Sequence, residues 1–335
     1  MLWELLQRLL PYLFLMNISW APIRFPELDL ARIFSSGNFL ARAAEERLVT
    51  LMVTGDVLPG RSVHLRYTQT GDPNYAFAET AEVLRGADIT FINLEGPLVA
   101  DCPVFYTGFT FCGDPRFAEG LKFAGADVIN VANNHIYNFG AGGLSQTLET
   151  LRRNGLLPAG EGNIAYLTVK GTRFAFLGYN AVGKVLDRSA AAEEIKTAKA
   201  NADVVVVQFH WGQEYTYLPK RAGSEPVELG HLAIDAGADL VVSNHPHWIQ
   251  GTEIYRGKVI TYSHGNFVFD QMFSEETRAG VVGKYTFYGR KLVGVEFLPT
   301  KIYRSFQPQF LKGEEAQAVL DKMQRSSEMI RELVK

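Results

Sequence analysis

Four times along this chain a small-residue stop is followed by Ala-Asp, a short apolar run and a cluster of polar residues. Gly86-Ala87-Asp88 leads into ITFI and Asn93-Leu94-Glu95, and Gly125-Ala126-Asp127 into VINVA and Asn133-Asn134-His135. Ala202-Asp203 leads into VVVVQF and His210, and Gly237-Ala238-Asp239 into LVVS and Asn244-His245-Pro246-His247. A further run, LVTLMVT, opens the series at residue 48 and ends in Gly55-Asp56. Glycine after a helical pattern marks a helix C-terminus. Short β-branched runs between such stops read as buried strands. Helical patterns precede the runs at about 74–85, 114–124, 190–200 and 224–236, and another lies at 141–154. Strands alternating with helices predict an α/β fold. The segments are too dissimilar for a solenoid.

After residue 250 the texture changes. Runs at about 252–255, 258–263, 279–287 and 291–299 predict antiparallel strands added to the sheet, and 313–333 predicts an amphipathic helix. The expected organisation is an N-terminal segment and linker over 1–47, a domain over 48–312 and a C-terminal helix over 313–335. The stretch LLPYLFLMNISWAPI is apolar but broken by Pro11, Asn17 and Pro22. It is shorter than the roughly 20 apolar residues of a spanning helix and has no convincing small-residue cleavage site. It reads as a membrane-associated signal-anchor or interfacial helix, as an apolar flap, or as the remainder of a longer upstream segment. All three stay open.

Composition removes several function classes. Thirty-three basic against 36 acidic residues give a net charge of −3, with no electrostatic footprint for nucleic acid. Two cysteines exclude a disulfide scaffold and a four-thiolate zinc site. Neither a phosphate-binding Gly-Lys-Ser/Thr loop nor a serine-hydrolase elbow occurs.

Each predicted strand instead ends in metal-ligand chemistry: Asp56, Glu95, Asn134 with His135, His210, and His245 with His247. In open α/β sheets the C-terminal strand ends face one crevice. Two carboxylates, an amide oxygen and up to four imidazoles would meet there, enough for two ions sharing a bridging carboxylate. Mixed nitrogen and oxygen donors suit Mn, Fe or Zn better than Mg or Ca. Singly, each residue has a plainer explanation. Asp56 fits a turn or helix cap, Glu95 a solvated loop, Asn134 a left-handed turn and His210 a core histidine beside Trp211. The paired imidazoles of His245-Pro246-His247 are the hardest to assign to packing. Shared placement is what argues for metal.

The motifs TGD, NLEGPL, ANNH, HWGQEY, NHPH and GNFVFD, in this order between about residues 48 and 312, resemble the CapA family of poly-γ-glutamate capsule biosynthesis proteins. That family is similar in fold to the calcineurin-like metallophosphoesterases. The resemblance implies a layered α/β/β/α sandwich of mixed sheets, with a metal site at the strand C-termini. It implies Asp56 and His247 on a first ion, Glu95 bridging, and Asn134, His210 and His245 on a second. His135 resembles a non-ligand that protonates a leaving group or stabilises charge, and Arg61 would hold an anionic group.

Four positions depart from the pattern. Leu58 stands where the first motif usually adds a histidine, which implies a weakly held or absent second ion. Asn138 replaces a frequent aspartate, Ser243-Asn244 a Gly-His pair, and His264 a commonly apolar residue, for which packing is the favoured role. The implied function is capsule-polymer biosynthesis around a metal-dependent hydrolase centre, extracytoplasmic and beside a membrane-bound synthesis complex. Phosphoester hydrolysis and a non-catalytic, metal-stabilised polymer scaffold are the alternatives. Arg61, Lys184, Arg188, Lys220 and Arg221 are candidates for an anion-binding surface, with ordinary surface charge the plainer reading. Cys102 and Cys112 either pair or, the plainer reading, stay free; Phe105, Tyr106, Phe109 and Phe111 form a lid, a cleft wall or a core cluster.

Overall fold

The computed structural model describes residues 25–35, 47–219 and 225–335. The apolar segment 1–23, most of the linker, Lys220 and Arg221 lie outside the described residues. Two mixed sheets form the centre. The first has the order β14 (Gln307–Phe310), β13 (Lys291–Arg304), β12 (Ala279–Tyr288), β1 (Leu48–Val57), β2 (Ile89–Leu94), β3 (Val128–Asn130), β4 (Leu157–Ala159), with β11 (Asn266–Val268) pairing β1. Strands β1 to β4 run parallel, and β12 to β14 are antiparallel additions. The second has the order β5 (Ala165–Val169), β6 (Thr172–Asn180), β7 (Val204–His210), β8 (Leu240–Asn244), β10 (Lys258–His264), β9 (Ile249–Tyr255).

The period-two geometry of a strand explains why these runs are apolar throughout. Val49, Leu51 and Val53 of β1 face Phe176, Val204, Val206 and Val242 of the other sheet. Met52, Ile92 and Ile129 point the other way, against Leu84, Phe117, Leu121 and Leu151 of the helical layer. Val205, Val207 and Val241 pack outward on Ile195, Leu229 and Ala233. The result is the expected four-layer α/β/β/α sandwich.

The expectation of one sheet receiving all later strands is corrected. β9 and β10 join the second sheet, whereas β12 to β14 join the first. The helical pattern at 74–85 resolves into a 3-10 turn, Tyr75–Phe77, and a single turn, Ala81–Leu84. The β5–β6 hairpin and the helix Arg61–Thr70 fall outside the repeated pattern.

The C-terminal helix Gly313–Leu333 covers the edge strand β9 and buries Met323 and Ile330. Ser326 and Ser327 accept hydrogen bonds from the backbone N–H groups of Gly251 (2.8 Å) and Thr252 (2.9 Å). An edge strand exposes such groups to association, and here two are satisfied within the molecule. Gly251 is required: a Cβ there would stand 2.3 Å from the Ser327 nitrogen.

Candidate metal centre

The C-terminal ends of β1, β2 and β3 meet those of β7 and β8 across the two sheets. β1 reaches this point through Gly55, where a Cβ would lie 2.3 Å from the Gly265 carbonyl oxygen. That close approach lets Asp56 N–H donate to Gly265 at 2.9 Å and aligns Asp56 with Asn266 of β11. Asp56 is fully buried. Its Oδ1 accepts from Asn93 at 2.8 Å, and Asn93 in turn accepts from Asn130 at 2.8 Å, an amide chain across three parallel strands. Its Oδ2 accepts from the His245 N–H at 3.3 Å and lies 3.2 Å from His247 Nδ1. Burial opposes the charge, but the bond and charge of His247, with His210, hold this carboxyl well below the usual range.

Around Asp56 lie buried atoms with no hydrogen-bond partner among the described residues: both Glu95 oxygens, Asn134 Oδ1, both His210 ring nitrogens and His245 Nδ1. Burial, then the charge of Asp56, pushes Glu95 well above the usual carboxyl range. Burial, then the neighbouring imidazoles, pushes His210 well below its ordinary value and His245 down to about 3. Both shifts favour the neutral imidazole, which has one ring lone pair to offer. An unmet buried polar atom costs about 1–3 kcal/mol, and native chains keep few of them. A shared divalent cation satisfies such a set, and its nitrogen and oxygen donors fit Mn, Fe or Zn.

Backbone geometry aims the imidazoles. His245 (φ 97°) and His247 (φ 57°) occupy the left-handed region, which for non-glycine residues costs about 1–3 kcal/mol and clusters at functional sites. Asn266 donates from Nδ2 to Thr277 O at 2.9 Å, so its oxygen faces His247 Nδ1 at 2.9 Å. His247 thus carries its proton on Nδ1. Nε2 is left facing Glu95 Oε1 at 3.9 Å and Glu214 Oε1 at 4.0 Å.

His135 closes one side. Its Nδ1 donates to Asn138 Oδ1 at 3.1 Å, which also accepts from Phe111 N–H at 2.7 Å. Nε2 lies 3.1 Å from Asn134 Nδ2 and 3.9 Å from Glu95 Oε1. Asn138 thereby gives the ring the support that a carboxylate was expected to provide. Burial, with the Phe111 ring 4.0 Å away, lowers His135 to about 4.

The Arg61 guanidinium pairs with Asp270 and donates to Gly108 O at 3.2 Å, near the rings of Phe111 and Phe269, and its buried Nε has no hydrogen-bond partner among the described residues. It braces a loop closed by a disulfide between Cys102 and Cys112, so the free-thiol reading is overturned. Tyr106 and Phe109 are 72% and 71% exposed near the tip of this loop, whereas Phe111 is buried against His135. Lys184 pairs with Glu161 at 3.5 Å and Arg188 with Glu228 at 2.7 Å, in line with the plainer reading of these two residues as ordinary surface charge. His264 is buried with its ring nitrogens on Ser243 O and Tyr285 Oη, both at 3.1 Å, and serves packing.

Glu214 was missed. With His245 and His247 it offers ligand atoms within 4.8 Å of one another, and Asp56, Glu95 and His247 form a second such group. Its carboxylate was visible in HWGQEY, but it lies in a loop after β7 rather than at a strand end. The positive φ of Tyr215 (59°) and a Tyr215 N–H bond to Pro246 O at 2.9 Å fold that loop back onto the His-Pro-His turn.

Residues 50–271 match the family described as Bacterial capsule synthesis protein PGA_cap. The chain belongs to this family. Every candidate ligand of this PGA_cap chain, and His135, lies within the matched span. The chain is 30% identical over 266 residues to the capsule biosynthesis protein CapA of Bacillus anthracis, covering 71% of this chain and 64% of that protein. It is 32% identical over 256 residues to the PGA biosynthesis protein CapA of Bacillus subtilis (strain 168), covering 68% and 65%. The match thus spans less than two thirds of either relative's length. A hypothetical protein from Thermus thermophilus shares the fold, with a TM-score of 0.52 at 15% identity over 76% of this chain and 100% of that one.

Proposed function

We propose that this PGA_cap chain is a metal-dependent hydrolase acting on an anionic cell-surface polymer of poly-γ-glutamate type. The observation that carries this reading is the set of buried, unpartnered donors where the two sheets converge. Asp56, Glu95, Asn134, His210, His245 and His247 would hold two divalent ions of Mn, Fe or Zn, with Glu95 between them. Bound ions lower the pKa of water and stabilise charge developing on a carbonyl or phosphoryl oxygen. His135, held at Nδ1 by Asn138, would exchange a proton at Nε2. Phe111 and the Arg61–Asp270 pair form the wall beside that ring.

A groove of about 750 Å³ supports an extended substrate. Tyr215 lines it and also packs on His247, with ring centroids 6.0 Å apart. Tyr217, Trp248, Lys322 and Arg325 continue the lining, and Trp248 Nε1 is buried with no hydrogen-bond partner among the described residues. The Arg325 guanidinium and the Lys322 ammonium, which also pairs with Glu276 at 3.6 Å, put positive charge along a groove also lined by Leu218, Met329 and aromatic rings, which suits a chain bearing repeated carboxylates. The disulfide supports an extracytoplasmic, oxidising location. No helix among the described residues is long and apolar enough to cross a membrane, so the membrane association proposed here rests on the composition of residues 1–23.

The test is turnover by the metal-loaded full chain, offered a γ-glutamyl oligomer and an aryl phosphoester. Release of new amino termini from the oligomer, abolished by a chelator, is expected. Turnover of the phosphoester alone would replace the polymer by a phosphoester substrate. Oligomer binding without turnover of either would make the chain a scaffold.

A further inference from the structure

We propose that Glu214 is a metal ligand, supplying from the opposite wall a second donor beside the single one, Asp56, that β1 presents. The inference rests on the metal-centre reading above and adds a donor to it. Two residues beyond Asp56 stands Leu58, fully buried in a small apolar cluster with Phe111, Phe269 and Ile302, so β1 presents a single donor. The opposite wall compensates. Glu214 Oε1 stands 4.0 Å from His247 Nε2, the ring nitrogen left free once Nδ1 binds Asn266. Two donors each about 2.1 Å from one ion lie about 3 to 4.2 Å apart, and the Glu214–His247 spacing falls in that range. His245, whose Nδ1 is buried without a partner among the described residues, belongs to the same group.

The carboxylate is placed rather than loose. Tyr215 is pinned to Pro246 by its backbone N–H, which couples the Glu214 loop to the turn that carries both imidazoles. Among the described residues His247 is the only cationic or potentially cationic group within 4.0 Å of the Glu214 carboxylate. The Glu214 side chain is 34% exposed, whereas Glu95 is fully buried. Glu214 therefore sits at the mouth of the centre, where an ion would enter, and carries the donor most easily exchanged with solvent.

The test is Mn(II) stoichiometry and affinity on the chelator-stripped full chain, read by titration calorimetry and by the electron paramagnetic resonance signal of the bound manganese. The parent is expected to bind about two equivalents and show a coupled-pair signal. Glu214→Gln keeps the shape and removes the charge. It should bind about one equivalent tightly, with the second at least about 100-fold weaker and the coupled signal lost. Glu214→Asp should recover part of that affinity. Thermal unfolding of the metal-free Glu214→Gln chain should match the parent, which separates ligation from a folding role. Two equivalents with unchanged affinity and signal in Glu214→Gln would overturn the assignment and leave the metal centre standing. No binding by the parent would overturn the metal centre, and Glu214 with it.

Discussion

His245 and His247 hold a backbone conformation that histidine rarely adopts, and both present imidazole nitrogens to the same buried space. Such strain persists where surrounding contacts over-determine it, and function is the common reason. His135 differs in kind: its Nδ1 is held by Asn138 and its ring packs on Phe111. His135→Ala should therefore retain metal while losing turnover by about 10²–10⁴-fold. Parallel metal analysis and rate measurement check this, and full activity in the variant would contradict it. The strand-end residues were legible because β geometry fixes where a run ends, so Asp56, Glu95, His210 and His245 could be placed without knowing the sheets. Glu214 was not, because a loop bond to Pro246 decides its position. The pairing of Arg61 with Asp270 was not legible because the two lie 209 residues apart.

The elements around the site carry their own consequences. The disulfide closes a loop of separation 10, which by chain entropy adds at most about 3 kcal/mol. Cys102→Ser/Cys112→Ser should lower the denaturant midpoint within that limit. An unchanged midpoint would remove the loop as a stabilising element. On the edge strand, Ser327→Ala leaves the Thr252 N–H without its acceptor, for an expected loss of about 1–3 kcal/mol in chemical unfolding. A loss below about 0.5 kcal/mol, the scale of ordinary surface changes, would mean that the helix does not secure β9. In the groove, Arg325→Ala should raise KM for a long γ-glutamyl polymer and leave KM for a short one unchanged. Equal effects on both would place Arg325 outside the binding path. The helices at 188–201 and 225–236 and most strands were readable from apolar periodicity and glycine stops. The β5–β6 hairpin was not, since it turns on Lys170 and Gly171 at positive φ without the Ala-Asp signature.

At the scale of the whole molecule, a sandwich brings strand ends from two sheets to one point, and that division could not be read from the runs themselves. Val204 and Val205 are both apolar because both faces of the sheet are buried, so local pattern does not say which sheet a strand joins. Nonlocal packing decides it. The same convergence means that ions held by Asp56 and Glu95 from one sheet, and His210, His245 and His247 from the other, would tie the layers together. Ligand that binds only the folded chain at 1,000 times its dissociation constant adds about 4 kcal/mol of stability, so chelation should lower the unfolding temperature of the loaded protein. The most direct measurement is the metal content of the purified full chain by elemental analysis, beside His245→Ala/His247→Ala. About two equivalents of Mn, Fe or Zn, lost in the variant, are predicted. No metal in the parent, even after reconstitution, would contradict a metal-dependent centre and leave a polymer-binding scaffold in its place.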